Sequence, residues 1–162
     1  MTTWFISDTH FGEQPARRLK LAGLTADELD ALIINNWRRL LSPEDEVWHL
    51  GDIGRDWRVL LDLPGRKHLI VAHASDRRPV IAKSGLFTTI QERHQIIADG
   101  QALDMIHNPD GCEPGPGATL VHGHHHYRLP QPGCVSVCVD HCGWGPVTLG
   151  YVLEQMRSGG AP

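Results

Sequence analysis

The sequence predicts an α/β fold, and three observations support this class. Short apolar runs typical of buried strands recur along the chain, and helical segments separate the first three of them. The 162 residues, 41% of them hydrophobic, are enough to bury a core without disulfides or structural metals. We therefore expect a single domain over residues 1–157, followed by a disordered tail over residues 158–162.

The first half of the chain alternates between strands and helices. Thr25 and Glu28 have the spacing of a capping box, and apolar residues at intervals of three and four follow them. This pattern predicts an amphipathic helix that ends at Ser42-Pro43 and covers the sheet. The predicted elements are, in order, a strand over 4–6, a loop over 12–23, a helix over 26–41, a strand over 47–50, a short helix over 57–61 and a strand over 68–72.

The second half has short runs with β character that are not separated by helices. Asp99-Gly100 is a hairpin signal between two of these runs, which favours antiparallel pairing. Residues 108–117 are rich in proline and glycine and are predicted to form a surface loop. The predicted strands cover 87–90, 95–99, 103–107, 118–122, 134–139 and 147–149, and a closing helical turn covers 151–156.

Three of the four cysteines, Cys134, Cys138 and Cys142, are each separated by three residues. This spacing lacks the Cys-x2-Cys pair of a zinc knuckle, and residues 134–139 alternate as a strand does. We therefore interpret the cysteines as small hydrophobic residues and not as zinc ligands.

Four predicted strands end in aspartate or histidine, at the edge of an α/β sheet where ligands collect. A mixed set of carboxylates and imidazoles suits Mn, Fe, Zn or Ni better than Ca. Six ligands are too many for one tetrahedral ion, but they suit two ions that share a bridging carboxylate, as in phosphate-ester hydrolysis. The candidate ligands are Asp8 and His10, then Asp52, then His107, and finally His122 and His124.

The order Asp-x-His, Gly-Asp, His and His-Gly-His resembles the calcineurin-like metallophosphoesterase superfamily, over residues 3–156. Asn36-Trp37 and the stretches 43–52 and 63–68 resemble a small bacterial-type branch. The resemblance implies a two-sheet sandwich of mixed strands flanked by helices, with two divalent metal ions at the strand ends. The implied ligands are Asp8, His10, Asp52 and His124 for one ion, and Asp52, His107 and His122 for the other.

One motif departs from that family, which carries Gly-Asn-His-Asp or Gly-Asn-His-Glu after its third strand. This chain has Ala72-His73-Ala74-Ser75-Asp76 there, so a metal ligand and the acid that protonates the leaving group are both altered. Alignment on the preceding strand makes His73 a ligand of the second ion, with a catalytic role as the alternative. Alignment on Asp76 leaves His73 outside the motif. Arg77 and Arg78 are candidates for binding the substrate phosphate as forked donors.

The function that the sequence predicts is a dinuclear metal-dependent phosphoesterase that uses a metal-bound hydroxide. Phosphodiesters are favoured, because they depend less on a leaving-group acid. The alternative is a catalytically weak metal-binding scaffold of the same fold that acts through a protein partner, and the altered motif motivates it.

The predicted substrate is a phosphate-ester small molecule or a nucleotide. A net charge of -4 provides no basic field for nucleic acid, so a nucleic-acid end is not indicated. We find no apolar run of about 18 residues and no signal-like leader, and expect a cytoplasmic protein without a membrane span. The remaining histidines that we expect at the surface are His49, His68, His94, His125, His126 and His141.

Overall fold

The structure, a computed structural model, describes residues 1–72 and 78–158. The predicted roles of His73 and Arg77, the side chain of Arg78 and the predicted tail beyond Ser158 lie outside this part. The strands are β1 (Thr3–Ile6), β2 (Glu46–His49), β3 (Arg66–Ile70), β4 (Phe87–Gln91), β5 (Arg93–Ala98), β6 (Gln101–Ile106), β7 (Ala118–His122), β8 (Cys134–Ser136) and β9 (Val147–Thr148). The helices are α1 (Ala16–Ala22), α2 (Ala26–Leu40), α3 (Arg78–Ser84) and α4 (Leu149–Arg157), and a 3-10 helix covers Trp57–Asp62.

Two mixed sheets form a sandwich, as the resemblance predicts. The first sheet has the order β4-β3-β2-β1-β9, in which β1 to β4 are parallel and β9 is antiparallel to β1. The second has the order β5-β6-β7-β8, in which β6 to β8 are parallel and β5 is antiparallel to β6. A bridge between Ser7 and Cys138 connects the two sheets just beyond the ends of β1 and β8.

Successive residues of β1 point into two different cores, because side chains alternate across a strand. Phe5 packs between the two sheets with residues such as Met105 and Val121. Trp4 and Ile6 face the other way and pack beneath α2. The central strands are thus buried on both faces, which explains why they are apolar throughout.

Helix α2 begins and ends as the sequence predicts. The Thr25 hydroxyl accepts a hydrogen bond from the backbone N–H of Glu28, and the Glu28 carboxylate accepts one from the backbone N–H of Thr25. Leu29, Ile33 and Trp37 form its buried stripe. None of the helices in the described part of the chain is long and apolar enough to cross a membrane.

Two predictions about local structure were wrong. Residues 16–22 form α1 instead of a loop, and the helix ends at Gly23 in the left-handed conformation (φ 68°). The buried residue of α1 is Arg18, so the sequence has no apolar periodicity that would predict this helix. Among the described strands of the second half, antiparallel pairing holds for the β5–β6 hairpin and for β9 against β1, whereas β4, β6, β7 and β8 each pair in parallel with a neighbour.

Candidate metal centre

The candidate metal centre lies at the carboxyl ends of parallel strands from both sheets. Asp8 and His10 follow β1, Asp52 follows β2, and His107 follows β6. His124 and His126 follow β7. The two sheets point these ends at the same place, so residues distant in sequence meet there.

Two groups of potential ligand atoms share the Asp52 carboxylate. We call Asp8, His10, Asp52 and His126 the first group, and Asp52, His107 and His124 the second group. Within each group all the ligand atoms lie within 4.8 Å of one another. Asp52 Oδ2 lies 3.7 Å from His10 Nε2 and 3.5 Å from His107 Nε2. His126 Nε2 lies 3.5 Å from Asp8 Oδ1.

The backbone at four of these residues adopts a conformation that side chains disfavour. Asp8, His10, Asp52 and His124 have φ values of 58°, 48°, 52° and 68°. Left-handed backbone costs about 1–2 kcal/mol for a residue with a Cβ, and such strain concentrates at functional sites. The turns therefore aim side chains at one point at some cost to stability.

Asp8 is fully buried and is oriented by two donors. The Ser7 hydroxyl donates to Oδ2 at 2.5 Å, and the backbone N–H of His124 donates to the same oxygen at 2.9 Å. Gly123 makes the second contact possible, because a Cβ at that position would collide with the Asp8 carboxylate and the Ser7 side chain.

A backbone carbonyl fixes the tautomer of His107. Nδ1–H donates to the Leu50 carbonyl at 2.6 Å, which leaves the Nε2 lone pair facing Asp52. Burial alone would lower the pKa of His107, but the Asp52 carboxylate, the Asp8 charge and this hydrogen bond outweigh burial and raise it. The negative charges of Asp8 and Asp52 also attract other cations, including a metal ion.

His10 is held neutral near pH 7. Burial, with a smaller contribution from the positive charge of Arg18, lowers its pKa to about 4. Its Nε2 is buried and makes no hydrogen bond with any described residue. A neutral imidazole with a buried nitrogen that lacks a hydrogen bond is suited to bind a metal ion.

His126 lies against a buried ion pair. Arg18 and Asp140 have side-chain exposures of 0% and 8%, and Asp140 Oδ2 lies 2.8 Å from His126 Nδ1. Burial would raise the pKa of Asp140, but hydrogen bonds from His126 and Arg18 and the Arg18 charge hold it well below its usual range. The carboxylate therefore stays ionised beside the candidate site.

The structure brings different histidines into the two groups than the sequence predicts. His124 joins Asp52 and His107, and His126, which we expected at the surface, joins Asp8 and His10. His122 belongs to no group of potential ligand atoms among the described residues. It is buried, and its Nδ1–H donates to the Gly123 carbonyl at 2.7 Å. Val121 faces the inter-sheet core, so the side chain of His122 faces the opposite side of β7.

The expectation that the remaining histidines lie at the surface was wrong for three more of them. His49, His68 and His125 are buried. His68 and His94 stack on Trp48, with ring centroids 4.4 and 4.7 Å away. His94 and His141 are half-buried. The Nε2 atom of His125 lies 3.1 Å from Asp110 Oδ1. The four cysteines are free, with no disulfide between any two of them.

No model of a known protein family matches the chain. The uncharacterized protein MJ1445 of Methanocaldococcus jannaschii is 24% identical over an alignment 175 positions long, which covers 96% of this chain and 92% of that protein. The gene 66 protein of Mycobacterium phage L5 is 31% identical over 88 residues, 48% of this chain and 42% of that protein.

Among solved structures, the protein of unknown function AQ665 from Aquifex aeolicus superimposes with a TM-score of 0.71 at 22% identity. The match covers 94% of this chain and 98% of that one, and it shows that the two proteins share a fold. The phosphoesterase Yfce from E. coli superimposes with a TM-score of 0.47 at 15% identity, over 85% and 78% of the two chains.

Replacing His124 tests the backbone strain. With φ at 68°, His124→Gly should be more stable than His124→Ala by about 1 kcal/mol, because glycine adopts this conformation without a steric penalty. Urea unfolding of the chelator-treated variants measures the difference. His122→Gly and His122→Ala, two residues earlier in β7, are the matched controls and should show alanine the more stable. An alanine preference at both positions would contradict the strain at His124.

A second test uses pH and His49, which is fully buried and whose Nε2–H donates to the Thr9 hydroxyl at 3.0 Å. Burial, aided by the His107 charge, lowers its pKa from 6.5 to about 3. As the pH falls through this interval, His49 binds a proton in the unfolded chain but not in the folded chain. The His49 contribution to the unfolding free energy therefore falls by about 1.4 kcal/mol per pH unit.

The His49→Gln variant lacks this titration. Its unfolding free energy, measured with urea in the presence of chelator, should fall less steeply between about pH 6 and pH 4 than that of the wild type. Equal slopes for the two proteins would contradict the depressed pKa of His49.

Proposed function

We propose that this protein is a dinuclear metal-dependent phosphoesterase of the calcineurin-like type that its motifs resemble. One observation carries the proposal: the carboxylate of Asp52 belongs to both groups of ligand atoms. A shared carboxylate between two clusters of imidazoles is the arrangement that holds two divalent ions a few ångströms apart. No other residue among those described belongs to both groups.

In this proposal Asp8, His10, Asp52 and His126 bind the first ion, and Asp52, His107 and His124 bind the second. The chemistry of the donors fits such ions. Two carboxylates and four imidazoles suit Mn, Fe, Zn or Ni. The depressed pKa of His10 leaves a nitrogen lone pair of that ring available. The hydrogen bond from His107 Nδ1 to the Leu50 carbonyl leaves the Nε2 lone pair of His107 available.

Two divalent ions at this position would supply a hydroxide near neutral pH and neutralise the charge that develops on a phosphate ester. The chain itself supplies the positioning. Ser7 and the backbone N–H of His124 hold the Asp8 carboxylate, and the Leu50 carbonyl holds the ring of His107. Hydrogen-bonded ligands of this kind need little rearrangement when an ion binds, which strengthens binding.

The substrate class that we propose is a phosphate-ester small molecule or a nucleotide, with diesters favoured over monoesters. A diester carries one less negative charge than a monoester with the same leaving group. When that leaving group is activated, hydrolysis depends little on an acid that protonates it. The family's usual acid falls in the segment whose sequence departs from the family pattern, so the preference rests on the sequence.

Asp52→Asn should remove at least one ion and nearly all hydrolysis, because an amide cannot hold two cations together as a carboxylate does. Metal content of the purified variant and its turnover of an aryl phosphodiester with added Mn measure both effects. Asp56→Asn is the matched control, since Asp56 is an exposed carboxylate four residues away and should leave both unchanged. An Asn variant with two ions and wild-type turnover would contradict the bridging role.

The preference for diesters is tested with a matched pair of aryl mono- and diesters, assayed with Mn and with chelator. We expect faster turnover of the diester and loss of both activities in chelator. A monoester favoured about tenfold or more would overturn the preference. A chain that binds both ions and hydrolyses neither ester would favour the scaffold alternative.

A further inference from the structure

The side chain of Arg18 is one of the largest fully buried side chains in the structure, although arginine is rarely buried unless it is paired. Its Nε donates to Asp140 Oδ1 at 3.0 Å, and its Nη2 donates to Asp140 Oδ2 at 2.5 Å. Nη1 donates to the side-chain carbonyl of Gln14 at 2.8 Å. This forked pairing fixes the orientation of the Asp140 carboxylate as well as its charge.

Asp140 and Asp8 lie on opposite sides of the same imidazole. His126 Nδ1 is 2.8 Å from Asp140 Oδ2, and His126 Nε2 is 3.5 Å from Asp8 Oδ1. One ring nitrogen therefore faces the buried ion pair, and the other faces the first group. A cation binds an imidazole only in its neutral form, in which the position of the single ring proton decides which nitrogen is available.

Two arrangements of that proton are open to His126. Arg18 Nη2 lies 2.6 Å from Nδ1 and can only donate, so it favours an Nδ1 without a proton and an Nε2–H that faces Asp8. Asp140 can only accept when ionised, so it favours an Nδ1–H and a free lone pair on Nε2. A cation in the first group requires the second arrangement.

We propose that Asp140 is a positioning residue that accepts the Nδ1 proton of His126 and so presents the Nε2 lone pair to the first ion, while Arg18 holds Asp140 in place. This inference rests on the proposed function. It assigns roles to two residues, Arg18 and Asp140, that belong to neither the first nor the second group.

Arg18 also explains why Asp140 is not itself a metal ligand. His126, Cys138 and Asp140 form another set of potential ligand atoms within 4.8 Å of one another. The guanidinium of Arg18, however, already contacts both oxygens of Asp140. A cation there would be repelled by the adjacent guanidinium, whereas a neutral imidazole N–H is a compatible partner.

The Asp140→Asn variant tests this role through metal affinity. An amide is a weaker acceptor than a carboxylate and leaves Arg18 without its counter-charge, so the affinity for one of two Mn ions should fall about 10–100-fold. The other ion should bind as in the wild type. Calorimetric titration of chelator-stripped protein with Mn measures both affinities, and circular dichroism without metal establishes that the variant is folded.

Asp104→Asn is the matched control. Asp104 is also buried and accepts a forked pair of hydrogen bonds from Arg93, at 2.8 and 2.5 Å, but it belongs to no group of potential ligand atoms among the described residues. Its loss breaks a comparable ion pair and should leave both Mn affinities unchanged. Equal effects of Asp104→Asn and Asp140→Asn would mean that Asp140 acts only through stability, which overturns the proposal.

A double-mutant cycle separates positioning from a general electrostatic effect. If Asp140 acts through His126, Asp140→Asn should change Mn affinity less than about twofold in a His126→Ala background. A loss as large as that in the wild-type background would overturn the proposal.

A measurement on the wild type keeps the proposal falsifiable if the Asp140 variant fails to fold. In 15N-labelled, zinc-loaded protein, the side-chain resonances of His126 should show a proton on Nδ1 and zinc on Nε2. Coordination through Nδ1 would overturn the proposal.

Different results would overturn the proposed function and the proposed role of Asp140. A wild-type chain that binds no divalent cation overturns the proposed function and this inference together. A wild-type chain that binds two ions, with Asp140→Asn binding both at unchanged affinity, overturns this inference alone.

Discussion

The sharing of the Asp52 carboxylate between two clusters of histidine nitrogens is the constraint on which the rest of the site depends. It requires that strand ends from both sheets meet within a few ångströms, which the parallel strands on each side of the sandwich provide. It also requires sharp turns directly after the strands. The left-handed backbone at Asp8, His10, Asp52 and His124 supplies these turns at a cost that the buried core must offset.

Charge imposes a second requirement at the same place. Asp8 is fully buried, Asp52 is largely buried, and Asp140 lies behind His126. Arg18 is the buried cation that offsets Asp140, whereas the carboxylates of Asp8 and Asp52 lie near each other among the histidine rings of the two groups. Concentrated negative charge in a poorly solvated position is unfavourable unless a cation binds there, and this links the metal proposal to the geometry.

Much of this arrangement could be predicted from the sequence because it depends on local patterns. Apolar runs followed by Asp or His located the strand ends, and Thr25 with Glu28 located the start of α2. The hairpin at Asp99-Gly100 was predictable because both residues adopt the positive φ that its tight turn needs.

What could not be predicted depends on tertiary geometry. His122, His124 and His126 all have the same chemistry and the same spacing of two residues, and only the point at which β7 ends decides which pair faces Asp8 and Asp52. Helix α1 was missed because it buries an arginine whose partner, Asp140, is 122 residues away. Parallel pairing of β4 with β3 was missed because the strand pattern alone does not specify a partner.

Anomalous diffraction from crystals loaded with Mn tests the central claim most directly. The account predicts two anomalous peaks about 3.5–4 Å apart with a carboxylate oxygen of Asp52 on each, or one oxygen between them. His126 should bind the ion beside Asp8 together with His10, and His124 should bind the other ion together with His107. A single peak, or two peaks that do not share Asp52, would contradict it.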